Sequence, residues 1–285
     1  MKVAVTGARG FVGRHVIAEL ARRDVEVIAT ERPGVTRDRP AAANLRWVAL
    51  DIAHPPADPF AALGNPDVLL HLAWDGLPNY RSLHHFEREL PRQYAFLGST
   101  IRSGLQALVT VGTCFEYGQQ SGPLAAALET RPDNPYGFAK DALRRELQFL
   151  QAAHPYKLTW ARLFYMFGDG QPATSLFAML KAAVAAGHRQ FPMSGGEQLR
   201  DYLPVSEVAR RLADLATNPG NPGPVNLCSG RPVSVRRLVE GWIAQNGWGI
   251  EPIYGELPYP DYEPMAFWGE GGDEARIPDA SAKNQ

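Results

Sequence analysis

The sequence predicts an α/β fold, a doubly wound parallel sheet with a smaller C-terminal lobe. Three observations carry this. Short continuous apolar runs alternate with helical patterns through the first half of the chain, as strands do when helices cover both faces of their sheet. A glycine-rich stretch, Thr6-Gly7-Ala8-Arg9-Gly10-Phe11-Val12-Gly13, follows the first run directly and opens the first helix. Tyr136 and Lys140 stand four residues apart at the start of a later helix.

The elements follow in order. Val3-Ala4-Val5 is the first strand, and a helix runs from Phe11 to Arg23. Strands follow at Val25–Ala29, at Arg46–Leu50 (ending against Asp51) and at Val68–Leu72. A long helix covers Arg81 to Ser103, and Ala107–Val111 is the fifth strand. The next helix, Tyr136 to Ala153, places Leu143, Leu147 and Leu150 on one face. Leu158–Ala161 is the sixth strand. Right-handed crossovers wind these units into a doubly wound sheet. After Gly168 the rhythm breaks into helical stretches at 175–186, 207–217 and 235–245 among Pro- and Gly-rich loops. Residues 1–168 therefore read as a Rossmann-type dinucleotide-binding domain, and 169–268 as a substrate-binding lobe free to interleave with it. Residues 269–285, polar and rich in Gly, Asp and Ala, read as a disordered tail.

Bulk properties narrow the function. At 285 residues and 45% hydrophobic content the chain can bury a sizeable core. A net charge of −1 argues against nucleic acid as a partner. No apolar run is long enough to cross a bilayer, and the N-terminus enters a strand at once instead of a signal peptide. Cys114 and Cys228 show neither metal-ligand spacing nor a disulfide framework, so no metal is expected and a reducing cytoplasm is.

The motifs supply the chemistry. Gly7, Gly10 and Gly13 allow a tight turn and close approach of a pyrophosphate to a helix N-terminus, where free N–H groups and the dipole favour an anion. Glu31, ending the second strand, suits the adenosine ribose hydroxyls and leans the cofactor towards NAD(H). Arg9 and Arg32 leave NADP(H) open, since either could hold a 2′-phosphate. Asp51 suits the adenine amino group, or an ordinary helix cap. Tyr136 and Lys140 share one helix face. An ammonium and an oxidised nicotinamide nearby would lower the tyrosine from its ordinary value and make it an acid–base group. Thr113, past the fifth strand, can hydrogen-bond the substrate oxygen that Tyr136 protonates. Cys114 lacks a histidine to activate it and reads as core.

On these residues the chain resembles the extended short-chain dehydrogenase/reductases of the nucleotide-sugar epimerase/dehydratase/reductase branch. Thr6 to Gly13 resemble that family's glycine motif, Asp51-Ile52 its adenine contact, and Asp67 to Ala73 its strand ending His-Leu-Ala. Thr113, Tyr136 and Lys140 resemble its catalytic triad. The resemblance implies cofactor contacts at Gly7, Arg9, Gly10, Phe11, Val12, Gly13, Glu31, Arg32, Asp51, Ile52, Leu72, Ala73, Trp74, Tyr136 and Lys140. It implies a nucleotide-sugar substrate and, through the two long helices, a homodimer. Arg200-Asp201-Tyr202 is similar to a segment whose arginine clamps the sugar-nucleotide pyrophosphate, the alternative being an ion pair with Asp201 or Glu197. Tyr165 stands where the family has Asn, and Phe167 where it has Tyr. Trp74, Asn79, Tyr80 and Tyr165 are expected sugar contacts. Met265–Trp268 is expected either to close over the site or to act as a packing plug.

The family's 4,6-dehydratases carry a carboxylate within two residues after the threonine. Here those positions are Cys114 and Phe115, and Glu116 one place later points to the other face. Two reactions remain that the triad alone can run: reduction of a nucleotide-activated 4-keto-6-deoxyhexose, and 4-epimerisation. The loop segments around Gly76–Tyr80, Gly112–Gly118 and Ser121–Leu124 are similar to bacterial 4-keto-6-deoxysugar reductases, which feed O-antigen or other surface glycans. The expectation is an NAD(P)H-dependent reductase, with the 4-epimerase and a non-catalytic dinucleotide binder as alternatives.

Overall fold

Seven parallel strands form the central sheet of the computed structural model, which describes residues 1–35 and 39–271. In chain order the elements are β1 (Lys2–Thr6), α1 (Phe11–Leu20), β2 (Glu26–Glu31), β3 (Leu45–Ala49), α2 (Pro59–Ala62) and β4 (Val68–His71). There follow α3 (Leu90–Arg102), β5 (Ala107–Thr113), β6 (Gly122–Leu124), α4 (Pro135–Ala153), β7 (Lys157–Leu163), β8 (Tyr165–Phe167), α5 (Leu176–Ala185) and β9 (Gln190–Met193). The last are β10 (Leu199–Arg200), β11 (Tyr202–Pro204), α6 (Val205–Thr217), β12 (Gly223–Leu227), β13 (Val233–Ser234), α7 (Val235–Asn246), β14 (Glu251–Tyr254) and β15 (Phe267–Gly269).

The sheet order is β12-β7-β5-β4-β1-β2-β3. From β1 the chain first winds outward through β2 and β3, then returns to the other side for β4, β5 and β7. The switch point lies between β1 and β4, and it opens a crevice at the carboxyl ends of the strands. Alternation of side chains divides the core into two layers. Val3, Val5, Val27 and Leu70 face Val16, Ile17 and Leu20 of α1 and Val208 and Leu212 of α6. Ala4, Ile28 and Leu69 face Phe96 and Leu97 of α3 and Leu143 and Leu147 of α4. A separate core, built on Leu180, Phe191, Met193, Val239, Trp242 and Ile250, joins α5 and α7 to the β9–β14 pair.

The structure departs from the sequence reading at four places. The helix expected to reach Arg23 ends at Leu20, because Asn44 Nδ2 donates to the carbonyls of Arg23 (3.1 Å) and Val25 (2.9 Å) and turns the chain there. The helix expected from Arg81 begins as a π turn, His85–Glu89, and becomes α only at Leu90. Pro91, which has no N–H to donate, stands just past the junction of the π turn and α3. The sheet also takes a strand, β12, from beyond residue 168, since β12 pairs in register with β7 and α6 covers the sheet. Finally, the expected tail begins ordered: Gly269 ends β15, and Glu270 N–H donates to Leu124 O at 3.0 Å. Residues 272–285 lie outside the described residues.

Candidate active site

At the switch point the glycine loop brings main chain against main chain. Gly7 has φ +69°, and a Cβ there would stand 2.7 Å from Ala73 N. A Cβ on Gly13 would stand 2.1 Å from Gly7 O. Leu72 N–H donates to Thr6 O at 3.2 Å, which seats Leu72 and Ala73 beside the loop. No side chain caps α1 at Gly10, so the first-turn N–H groups at Phe11, Val12 and Gly13 are left for an anion. This cradle fits a dinucleotide pyrophosphate.

Glu31, expected to face the adenosine ribose, is paired with arginines. Arg9 Nε donates to Glu31 Oε2 at 2.5 Å, and Arg39 pairs with the other oxygen. Desolvation works to raise the Glu31 carboxyl, but hydrogen bonds from Arg9 and Arg39 outweigh it and hold it below the usual carboxylate range. Arg39 was not anticipated from sequence. Arg32 pairs with Asp75 on the surface at 3.2 Å. Asp51 accepts from Ala53 N–H (2.9 Å) and meets His54 Nδ1 (2.8 Å), while Ile52 packs on the core.

Thr113 is the last residue of β5. Its side chain accepts from Phe115 N–H at 3.3 Å, and its own N–H donates to Glu116 Oε1 at 2.9 Å. This capping box starts a short 3₁₀ turn, Cys114–Tyr117. Helix α4 lies directly on that turn, because Gly137 has no side chain: a Cβ would stand 2.5 Å from Phe115 O. Asn134 caps α4 by accepting from Gly137 N–H at 2.9 Å. Tyr136 in the first turn of α4 is thereby brought beside Thr113, whose hydroxyl opposes the rise of its phenol. Lys140 one turn later is buried. Its Nζ donates to Val111 O at 3.0 Å and lies 3.9 Å from the Trp74 ring centre.

The lowering of Tyr136 is expected with an oxidised nicotinamide beside it; the protein's own groups push the other way. Burial pushes its phenol up, Tyr80, Glu116 and Cys114 add to that, and only the Thr113 hydrogen bond opposes it. Lys140 is itself pushed down to about 7 by burial, with Glu116 and Glu89 opposing. Glu116 lies on the 3₁₀ turn and not on the strand-like path the sequence suggested. It is wholly buried and accepts from Arg162 Nε (2.6 Å) and Trp160 Nε1 (2.9 Å). Burial pushes the Cys114 thiol up, which fits a core residue and not a nucleophile.

Aromatic rings enclose Tyr136. Its ring centre lies 5.6 Å from Tyr80, 6.0 Å from Trp74, 6.4 Å from Phe115 and 5.2 Å from His85. Farther along the crevice, buried Arg200 pairs with Glu263 at 2.9 Å, and Tyr165 OH donates to the other oxygen of the same carboxylate. The carboxylate partner of Arg200 is thus neither Asp201 nor Glu197. Asp201 accepts from Ser229 and Gly230 N–H, and Glu197 pairs with Arg236. Phe267 is buried under Arg200 and against Phe164, a packing plug, while Met265 is exposed. Sequence reasoning missed Glu263 and His85. The His84-His85 doublet beside an aromatic loop was the signal available for the second; nothing local marks the first.

The pattern of the NAD dependent epimerase/dehydratase family matches residues 3–228. The dTDP-6-deoxy-L-talose 4-dehydrogenase (NAD(+)) of Aggregatibacter actinomycetemcomitans is 31% identical over 94% of this chain and 99% of its own length. The chain belongs to that family. The dTDP-6-deoxy-L-talose 4-dehydrogenase (NAD(P)(+)) of Kitasatospora kifunensis is 29% identical, over 91% of this chain and 83% of its own. The fold is also that of MoeE5, solved with UDP-glucuronic acid and NAD: TM-score 0.78, 26% identity, 95% of this chain and 90% of that one.

Proposed function

We propose that the chain is an NAD(P)H-dependent reductase of a dTDP-activated 4-keto-6-deoxyhexose. The observation that carries the reading is the meeting of Thr113, Tyr136 and Lys140 with, among the described residues, no carboxylate in the two places after Thr113. Cys114 and Phe115 fill the two places after Thr113, and Glu116 is spent on Arg162 and Trp160. The two relatives named as 4-dehydrogenases of dTDP-6-deoxy-L-talose act on an alcohol of this class, whose oxidation is this reduction reversed.

When bound, a reduced nicotinamide would supply the hydride that the ketone carbon takes up. The glycine loop holds the pyrophosphate, and Glu31, Arg9 and Arg39 surround the adenosine ribose. Thr113 orients the ketone oxygen by hydrogen bonding. Tyr136 donates its proton to that oxygen, so ketone, hydride and proton give the alcohol. Burial keeps the Tyr136 phenol protonated at neutral pH, and cationic charge beside it is what would ease release of that proton. Lys140 then supports the resulting phenolate as an ammonium. The aromatic box of Trp74, Tyr80 and Phe115 excludes water around the transfer. Arg200 and Tyr165 lie where the activated sugar extends.

The division of labour proposed for the chain gives the cofactor to the layer built by residues 1–168 and the sugar nucleotide to the lobe of 169–268. A cytosolic homodimer paired through α3 and α4, serving surface glycan synthesis, completes the reading. Phe138 and Phe149 of α4 are exposed and would be covered in such a pair. No helix of the described residues is long and apolar enough to cross a membrane. The test is loss of NADH and NADPH absorbance with dTDP- and GDP-4-keto-6-deoxyhexoses. Stoichiometric oxidation with the dTDP sugar is expected. Conversion of UDP-glucose to UDP-galactose without net cofactor loss would replace the reading with a 4-epimerase.

A further inference from the structure

We propose that His85 is a positioning residue for the Tyr136–Lys140 pair, locked as the neutral Nε2–H tautomer between the Trp74 indole and the Asn79 carbonyl. His85 sits in the π turn ahead of α3 and is wholly buried. The Trp74 Nε1–H, a group that can only donate, meets His85 Nδ1 at 3.1 Å. Nδ1 therefore carries the lone pair. The ring proton lies on Nε2, which donates to Asn79 O at 2.8 Å. The loop packs directly on this ring: Gly76, at φ +88°, has no room for a Cβ, which would stand 3.1 Å from His85 Cε1.

One imidazole thus fixes two segments that wrap the reacting pair. The first is Trp74, whose face lies 3.9 Å from Lys140 Nζ. The second is the Asn79–Tyr80 turn, where Tyr80 O accepts from Tyr136 N–H at 3.2 Å. Both polar atoms of His85 are used in this way, so it acts through Trp74 and Tyr80 and not on substrate. Burial strips water from the Lys140 ammonium, and the π face of Trp74 gives that charge a favourable neighbour. Protonation of His85 would place an Nδ1–H against the indole N–H, two donors facing each other. Burial, then His84 and Lys140 as like charges, lower His85 from its ordinary value, while the Asn79 carbonyl and Glu89 oppose. The other titratable groups facing this turn are Tyr136 from α4 and, beyond His84, Asp75 at 3.7 Å. The imidazole therefore holds its neutral form to lower pH than an ordinary histidine does.

This deepens the reductase reading and rests on it for its kinetic readout alone. The test compares wild type, His85→Gln and His85→Phe by cofactor oxidation across pH, with ¹⁵N-histidine spectra of the wild type. Glutamine keeps an acceptor oxygen and an N–H donor and does not titrate. His85→Phe is expected to lose roughly 10- to 100-fold in kcat with KM changed less than about threefold. Its alkaline limb moves to lower pH as Lys140 loses Trp74. His85→Gln recovers most of kcat and lacks the acid limb of the wild type. The spectra are expected to show Nε2–H, with titration displaced to lower pH than that of an ordinary histidine. They decide the lock even if no keto sugar is turned over, which would sink the reductase reading alone. An Nδ1–H tautomer, a wild-type pH profile in His85→Phe, or a His85→Gln no better than His85→Phe overturns the proposal. Should His85→Phe fail to fold, wild type against His85→Gln and the spectra carry the test.

Discussion

On the cofactor side of the crevice, Gly7, Gly10 and Gly13 let main chain approach main chain, and the binding groups are backbone N–H donors. On the side proposed for the sugar the groups are side chains drawn from distant segments: Trp74 and Tyr80 from one loop, Tyr165 from β8, Arg200 from β10 and Glu263 from the connection after β14. Backbone geometry tolerates only glycine at set spacings. Side-chain geometry tolerates many sequences, provided that each buried charge finds a partner. The first side therefore defines a family, and the second a substrate.

The largest expected effect lies beneath both sides. Glu116→Gln leaves Arg162 buried without its carboxylate and should cost about 3–5 kcal/mol in urea unfolding. Gly13→Val puts a branched side chain where Gly7 O stands 2.1 Å from the Cβ position, and should weaken NADH binding roughly 100-fold, about 2.7 kcal/mol. Tyr165→Phe should leave NADH binding unchanged. Equal losses from the two substitutions, measured by NADH fluorescence titration, would erase the distinction between the sides.

A smaller effect appears with pH. His71, paired with Thr6 Oγ1 at 2.8 Å under the glycine loop, is pushed down to about 3 by burial, with Lys140 adding to it. The unfolded chain binds this proton at ordinary pH values near 6.5, so stability falls as pH drops from there towards 3, by up to about 1.4 kcal/mol per pH unit. His71→Gln should flatten that slope in unfolding measured from pH 7 to 4. The smallest effect is at the rim. Arg81 and Asp261 pair at 2.8 Å but are well exposed, so Arg81→Ala should change stability by less than about 0.5 kcal/mol.

The same contrast explains what could be read from the chain. Strands such as Val68–Leu70 and the glycine loop announce themselves through local pattern, and Thr113, Tyr136 and Lys140 through their place relative to those strands. The pairing of Arg200 with Glu263 joins residues with no common motif, and it displaced both partners that proximity in sequence suggested. Likewise β12 enters the sheet after a long excursion, which periodicity in residues 1–168 cannot foretell. Tyr136 is a different case. The sequence places an ammonium one turn away, but Lys140 turns to Val111 O and Trp74, and burial then governs the phenol.

The central claim is that Tyr136 delivers the proton within a site already complete for hydride transfer. The direct measurement is single-turnover oxidation of bound NAD(P)H by a dTDP-4-keto-6-deoxyhexose in wild type and Tyr136→Phe, with cofactor affinity measured on both. The account predicts unchanged affinity and a turnover rate lower by about 10²- to 10⁴-fold in Tyr136→Phe. Turnover at the wild-type rate in that variant would contradict it.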